Sequence, residues 1–80
     1  RHVALSPKEF ELLRCLAEHA GAFVPRSLLL ERVWNLRFDP QTNVVDVHVS
    51  RLRAKIEDGF DTPVIRSARG EGYMLASDDA

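Results

Sequence analysis

The segment from Thr42 to Ile56 limits the fold more than any other stretch, because it carries two distinct faces at one helical period. At about 100° per residue, Val45, Val49, Leu52 and Ile56 share one stripe, which reads as a core face. Val44, His48, Arg51 and Lys55 repeat the spacing on a second stripe, with Val47 beside them. A solvated helix face normally mixes Glu with Lys. Here small apolar groups stand at the N-terminal end and cations at the C-terminal end, with no acid among them. Reading the major groove of DNA needs that layout: methyl-sized contacts to thymine, donors for guanine edges and positive charge for phosphates. An ordinary surface helix with a few Lys and Arg fits the same residues.

Charge bears on the choice. The formal net charge is −1, whereas nucleic-acid binders are often basic overall. Distribution matters more than the sum, because phosphate attraction acts within about a Debye length. Arg51, Arg53 and Lys55 form a run without an intervening acid. Acids gather at Glu9, Glu11 and Glu18, at Glu57, Asp58 and Asp61, and at Asp78 and Asp79. A polarised molecule is expected, able to meet DNA on one face with modest affinity per copy.

Size and composition exclude much else. Eighty residues make one small domain, which buries roughly 60% of its unfolded surface. The single cysteine, Cys15, rules out an internal disulfide and a Cys-rich zinc site. Its apolar neighbours Phe10, Leu12, Leu13 and Leu16 mark it as a buried structural thiol. No apolar run approaches the ~18 residues of a membrane span, and no signal-peptide pattern opens the chain. A cytoplasmic protein is expected. His2, His19 and His48 lack metal-ligand spacing, and no Ser, His and acid grouping is evident. Neither a metal, a cofactor nor an enzyme is expected.

Along the chain, Arg1 to Leu5 is compatible with a strand. Ser6-Pro7-Lys8-Glu9 starts a helix: Ser6 caps it, Pro7 suits its first position and Glu9 completes a capping box. Phe10, Leu13, Leu16, Ala17 and Ala20 follow at helical spacing, and Gly21 ends the helix. Phe23 and Val24 form a brief extended link. Pro25 opens a second helix containing Leu28, Leu29, Leu30, Val33 and Trp34. Asn35 to Thr42, with Asp39-Pro40 inside, is a loop by its turn chemistry. The two-faced helix then runs to near Asp58-Gly59. The period switches next: Val64 to Ala68 reads as a strand, Arg69-Gly70-Glu71-Gly72 as a turn and Tyr73-Met74-Leu75 as the returning strand. Ser77 to Ala80 reads as a frayed tail. The pattern predicts an α+β fold, a winged helix-turn-helix of three helices and a C-terminal β-hairpin wing, with residues 1–80 forming one domain.

These residues also carry a resemblance. Leu5-Ser6-Pro7-Lys8-Glu9-Phe10-Glu11-Leu12-Leu13, Leu29-Leu30-Glu31-Arg32-Val33-Trp34, Asn43-Val44-Val45-Asp46-Val47-His48-Val49, Arg51-Leu52-Arg53 and Arg69-Gly70-Glu71-Gly72-Tyr73 occur in order. Together they resemble the C-terminal effector domain of OmpR/PhoB-type two-component response regulators over nearly the whole chain. The resemblance implies sequence-specific binding of promoter DNA as tandem half-sites, with the isolated domain monomeric and two copies paired on DNA. It further implies an N-terminal receiver domain phosphorylated by a sensor histidine kinase. That receiver, and most of the N-terminal sheet that the family places before its first helix, are not expected in these residues.

Residue roles follow from the resemblance. Asn43, Val44, Val47, Ser50, Arg51 and Arg53 match recognition-helix positions used around DNA. Arg51 suits a bidentate contact to guanine or a phosphate clamp. Val47 and Val44 would read thymine methyl groups, or else pack against wing or sheet. Arg53 is equally placed for an intrahelical pair with Glu57. His48 is a polar face residue or phosphate neighbour, and Lys55 a phosphate contact or a solvated cation. Arg69 matches the wing position that reaches the minor groove. Tyr73 and Trp34 each touch phosphate or fill the core. Ser50 stands where many relatives carry Arg, and Glu71 where a neutral wing-tip residue is common, so both weaken nonspecific attraction. The loop Asn35–Thr42 corresponds to a segment by which some relatives touch RNA polymerase. Within it, Phe38 is expected to tuck under as an anchor. The competing reading is a winged-helix module for protein–protein contacts without DNA, which the negative net charge and Glu71 favour.

Overall fold

A computed structural model describes residues 4–57 and 64–76. Ser6 starts the first helix, α1 (Pro7–Glu18), through the expected capping box. Its Oγ accepts the Glu9 N–H at 3.2 Å, and Glu9 Oε1 accepts the Ser6 N–H at 2.9 Å. Pro25 is the extended residue ahead of α2 (Arg26–Trp34), which ends on Asn35 in the left-handed conformation at φ 60°. Asn is one of the few non-glycine residues that tolerates this conformation. Lys8 of α1 donates to the Val33 carbonyl at 2.7 Å, placing a cation at the C-terminal end of α2. The third helix, α3 (Val44–Ile56), packs with α1 and α2, and a two-stranded antiparallel hairpin follows: β1 (Ile65–Ala68) and β2 (Gly72–Leu75). The helix order and the hairpin agree with the expected winged architecture.

One buried cluster joins Leu12, Cys15 and Leu16 of α1, Leu29, Leu30 and Val33 of α2, Val45, Val49 and Leu52 of α3, and Val24 and Ile65. Cys15 is the expected buried thiol, and burial raises its pKa. On α1, however, the buried face is turned from the expected one. Phe10 is 57% exposed, while Glu9 is 4% exposed; Leu13 is half-buried, and Ala17 and Ala20 are exposed. The cause is tertiary. Lys55 of α3 donates to Glu9 Oε1 at 2.6 Å, so a charged side chain fills the slot beside Leu12 and Leu16. Glu9 therefore does not belong to an acidic surface of α1.

This pair has a consequence in acid. The Lys55 hydrogen bond, then the Ser6 backbone N–H, hold the Glu9 carboxyl below its usual range despite burial. A carboxyl whose folded pKa is lowered stabilises the fold above its unfolded pKa and loses that contribution as pH falls through the folded value. Wild-type stability is therefore expected to fall on acidification below the ordinary carboxylate range more steeply than that of Glu9→Gln. Equal slopes in denaturant titrations across that range would contradict the assignment.

The hairpin register pairs Ile65 with Leu75, Arg66 with Met74, Ser67 with Tyr73 and Ala68 with Gly72. The brief extended link before α2 proves to be a third edge. Val24 N–H donates to the Tyr73 carbonyl at 2.7 Å, and Tyr73 N–H returns to the Val24 carbonyl at 3.1 Å. Gly21, at φ 87°, also donates its N–H to the Leu75 carbonyl at 2.9 Å. This lacing docks the hairpin beside the start of α2. It works only because Gly72, at φ 109°, has no side chain: a Cβ there would lie 2.0 Å from the Val24 carbonyl oxygen.

The strand expected over Arg1–Leu5 falls mostly outside the described residues, and Ala4 and Leu5 are not paired as strand. The helix end near Asp58-Gly59 and the tail Ser77–Ala80 also lie outside them; within them, α3 ends at Ile56 with Glu57 as its cap. Among the described residues no helix is long and apolar enough to cross a membrane, and no cluster of His, Cys, Asp or Glu could hold a metal ion.

Candidate nucleic-acid interface

The flanks of α3 have different fates, and sorting them locates the free surface. Val45, Val49 and Leu52 are buried as expected, and Ile56 is half-buried. On one flank Val44 packs against the core, and His48 and Lys55 turn toward α1 and α2. The Trp34 indole meets the His48 ring edge-on, with centroids 5.0 Å apart and planes at 82°. His48 Nδ1 lies 2.8 Å from the Val44 carbonyl, which can only accept, so that nitrogen carries the proton. Lys55 is not the solvated cation of the sequence reading. Its Nζ is held by Glu9 and by the Ala4 carbonyl at 3.2 Å.

The opposite flank faces the hairpin. The Tyr73 hydroxyl donates to Asp46 Oδ1, and this bond together with desolvation pushes its pKa up to about 12, desolvation acting most strongly. Arg53 Nε lies 3.7 Å from Glu57 Oε2, the expected i,i+4 pair. The same Glu57 oxygen accepts the backbone N–H groups of Val64 at 2.9 Å and Ile65 at 2.8 Å, so it pins the start of β1 to the end of α3.

Between these flanks the outward face of α3 consists of Val47, Ser50, Arg51 and Ala54. Ser50, Arg51 and Ala54 are exposed and Val47 is half-buried. Ala54 was not singled out from sequence, although it lies one turn beyond Ser50 and Arg51 on the same stripe of the helix. Asn43 precedes the helix, exposed and without a capping hydrogen bond from its side chain. Arg69 and Glu71 are exposed at the hairpin turn, closed by the Glu71 N–H to the Ala68 carbonyl at 3.0 Å. Gly70 adopts φ 81° in that turn with open space around it. None of the ion pairs among the described residues involves Arg51 or Arg69, whereas Arg14, Arg26, Arg53 and Lys55 all pair with acids. Arg32, Arg37 and Arg66 are likewise exposed and outside those pairs, so Arg51 and Arg69 are distinguished by their place on the outer face of α3 and at the hairpin turn.

The sequence profile of the family described as transcriptional regulatory protein, C terminal, matches residues 1–75. The chain belongs to this family, the effector domain of OmpR/PhoB-type regulators. It is 46% identical over 77 residues to the transcriptional regulatory protein CusR of Escherichia coli strain K12, covering 96% of this chain and 34% of CusR. It is 51% identical over 72 residues to the alkaline phosphatase synthesis transcriptional regulatory protein PhoP of Bacillus subtilis strain 168, covering 89% of this chain and 30% of PhoP. The chain therefore spans about a third of the length of these curated relatives. Among solved structures, the DNA-binding domain of Klebsiella pneumoniae RstA, in complex with the RstA box, aligns with a TM-score of 0.81 at 40% identity, over 92% of this chain and 74% of that one. The DNA-binding domain of E. coli CpxR aligns at 0.83 and 38% identity, over 94% and 74% respectively.

Within this family's fold, the expected site residues divide into two groups. Asn43, Val47, Ser50, Arg51 and Arg69 lie toward solvent on α3 and the wing, Val47 being half-buried. Val44, His48, Arg53, Lys55, Tyr73 and Trp34 are engaged within the molecule. Phe38 also departs from expectation: it is 66% exposed instead of tucked under its loop. It stands over a groove shared with Leu28, Leu30 and Leu36, so the loop 35–42 presents an apolar side chain to solvent.

Proposed function

We propose that this chain is the DNA-reading effector domain of a two-component response regulator that controls transcription at promoters. In this reading α3 enters the major groove with its outer face. Arg51 meets a guanine edge or a phosphate, Val47 meets thymine methyl groups, and Ala54 and Ser50 let the helix approach closely. Arg69 reaches the minor groove or its flanking phosphates from the wing. Asn43 lies where the helix meets the backbone. Lys55 leaves the contact set because Glu9 holds it, and Tyr73, Trp34 and Arg53 support the interface from behind. The observation that carries the reading is the placement of Arg51 on the exposed outer face of α3 and of Arg69 at the exposed wing turn, in a chain that matches the transcriptional regulatory C-terminal family over residues 1–75 and aligns with a solved DNA-bound relative.

In the whole protein, a receiver phosphorylated by a cognate sensor histidine kinase would pair two such domains on tandem half-sites, in the cytoplasm. Pairing supplies the affinity that one sparsely charged face lacks. The exposed Phe38 supports a role for the loop 35–42 as a surface toward RNA polymerase. A protein–protein module without DNA is less well supported, because the solved relative RstA carries this fold in complex with the RstA box.

Selection of bound duplexes from a random pool by this chain tests the reading: enrichment of a defined half-site is expected, and no enrichment would contradict it. On the selected duplex, Glu71→Thr should bind more tightly, with a steeper dependence of affinity on salt, because it removes a negative charge at the wing tip. Unchanged affinity and slope would mean that the wing tip stays away from phosphate.

A further inference from the structure

The start of α3 lacks the usual means of holding itself. Asn43 occupies the capping position, yet its side chain makes no capping hydrogen bond. A residue from another helix is present instead. Arg26, the first residue of α2, donates from Nη1 to Asp39 Oδ2 at 2.8 Å and from Nη2 to the Thr42 carbonyl. Its Nε lies 3.8 Å from Asp46 Oδ2 in the first turn of α3. Asp39 in turn accepts the Gln41 N–H on its other oxygen at 2.7 Å, and Asp46 accepts the Tyr73 hydroxyl from the wing. One guanidinium thus joins the start of α2, two points of the loop 35–42, the first turn of α3 and, through Asp46, strand β2. Such a planar fork can hold several acceptors in fixed directions, which an ammonium cannot.

We infer that Arg26 is a positioning residue for DNA reading, which locks the loop 35–42 to the recognition helix so that the two are presented as one unit. The inference rests on the DNA-binding reading and adds a coupling to it: whatever moves the loop also moves the first turn of α3, where Val47 begins the reading face. Arg26 is not available as a phosphate ligand in this arrangement, since its guanidinium nitrogens face Asp39, Thr42 and Asp46.

Asp39 gives a test in which the sign decides. Electrostatics alone makes an acid near the DNA face unfavourable, so Asp39→Ala should tighten binding and steepen its salt dependence. It should do the same if the freed Arg26 then seized a phosphate. Under the positioning role, the same variant instead weakens binding to the selected duplex roughly 3- to 10-fold. In the free protein it also shifts backbone amide signals beyond the loop, at Asn43–Val47. Arg26→Lys keeps the charge but loses the fork, so it should weaken binding similarly, with a salt slope close to wild type. Thermal melts confirm that each variant is folded at the assay temperature, and if one is not, the other carries the test.

Asp39→Ala or Arg26→Lys binding as tightly as wild type, or more tightly, overturns the inference. If the wild-type chain shows no preference for any duplex, the DNA-binding reading itself has failed, which is a different result.

Discussion

Gly72→Ala is expected to destabilise the domain by about 3–5 kcal/mol, a large share of what a chain this size possesses. Two effects combine at this position. The backbone sits at φ 109°, which L side chains rarely adopt, and the new Cβ would lie 2.0 Å from the Val24 carbonyl oxygen, 2.7 Å from its carbon and 2.9 Å from the Pro25 Cα. All three obstacles are backbone, so relief requires separating the Val24 edge from β2 and abandoning the hydrogen bonds that dock the hairpin against the start of α2. The melting temperature should fall by more than about 12 °C. Gly70 provides the control. It is also left-handed, at φ 81°, but nothing lies within 4 Å of its Cβ position, so Gly70→Ala should cost only about 1–2 kcal/mol. Similar melting of Gly72→Ala and wild type would refute the close approach of Val24.

Arg51→Ala is expected to weaken binding to a selected duplex by about 1–3 kcal/mol, roughly 5- to 150-fold, while leaving the melting temperature nearly unchanged. The exposed Arg51 takes part in none of the ion pairs among the described residues, so none of those contacts is lost with it. Lys55→Ala should show the reverse pattern. It leaves the Glu9 carboxylate buried without its cation, at a cost of about 1–3 kcal/mol in stability, with little effect on the affinity of the folded molecules. If Lys55→Ala instead lost DNA affinity and flattened the salt dependence with stability intact, the buried pair would be the wrong description of Lys55.

These contrasts also show how far the sequence could be read. Local chemistry was legible: the Ser6–Glu9 capping box, Pro25 ahead of α2 and the glycine-bearing wing turn appear where expected, because each depends on residues within a few positions of one another, whereas α1 ends at Glu18 with His19 as its cap, before the stop expected at Gly21. The core stripe of α3 was legible for the same reason. Its outer face was legible only in part. Periodicity placed Lys55 beside Arg51, and only the fold, which brings Glu9 within 2.6 Å across 46 positions of sequence, reveals that Lys55 turns toward α1. The same pair explains the misplaced face of α1: a buried glutamate is indistinguishable from a solvated one until its partner is known. The Val24 edge rests on one bridging residue and carries no strand pattern of its own. Arg26 gave no signal either, since an arginine at the start of a helix is unremarkable until Asp39, Thr42 and Asp46 are found around it. Phe38 was expected to be an anchor on hydrophobicity alone, which does not determine burial in a loop.

DNA reading by the outer face of α3 is tested most directly by which surface meets the duplex. Backbone and side-chain signals of the chain, followed while a selected duplex is added, measure that surface. The outer face of α3 at Val47, Ser50, Arg51 and Ala54 should shift together with Arg69 on the wing, while Phe10–Glu18 on α1 stays unperturbed. Perturbations confined to Phe10–Glu18, with none across Asn43–Lys55, would contradict it.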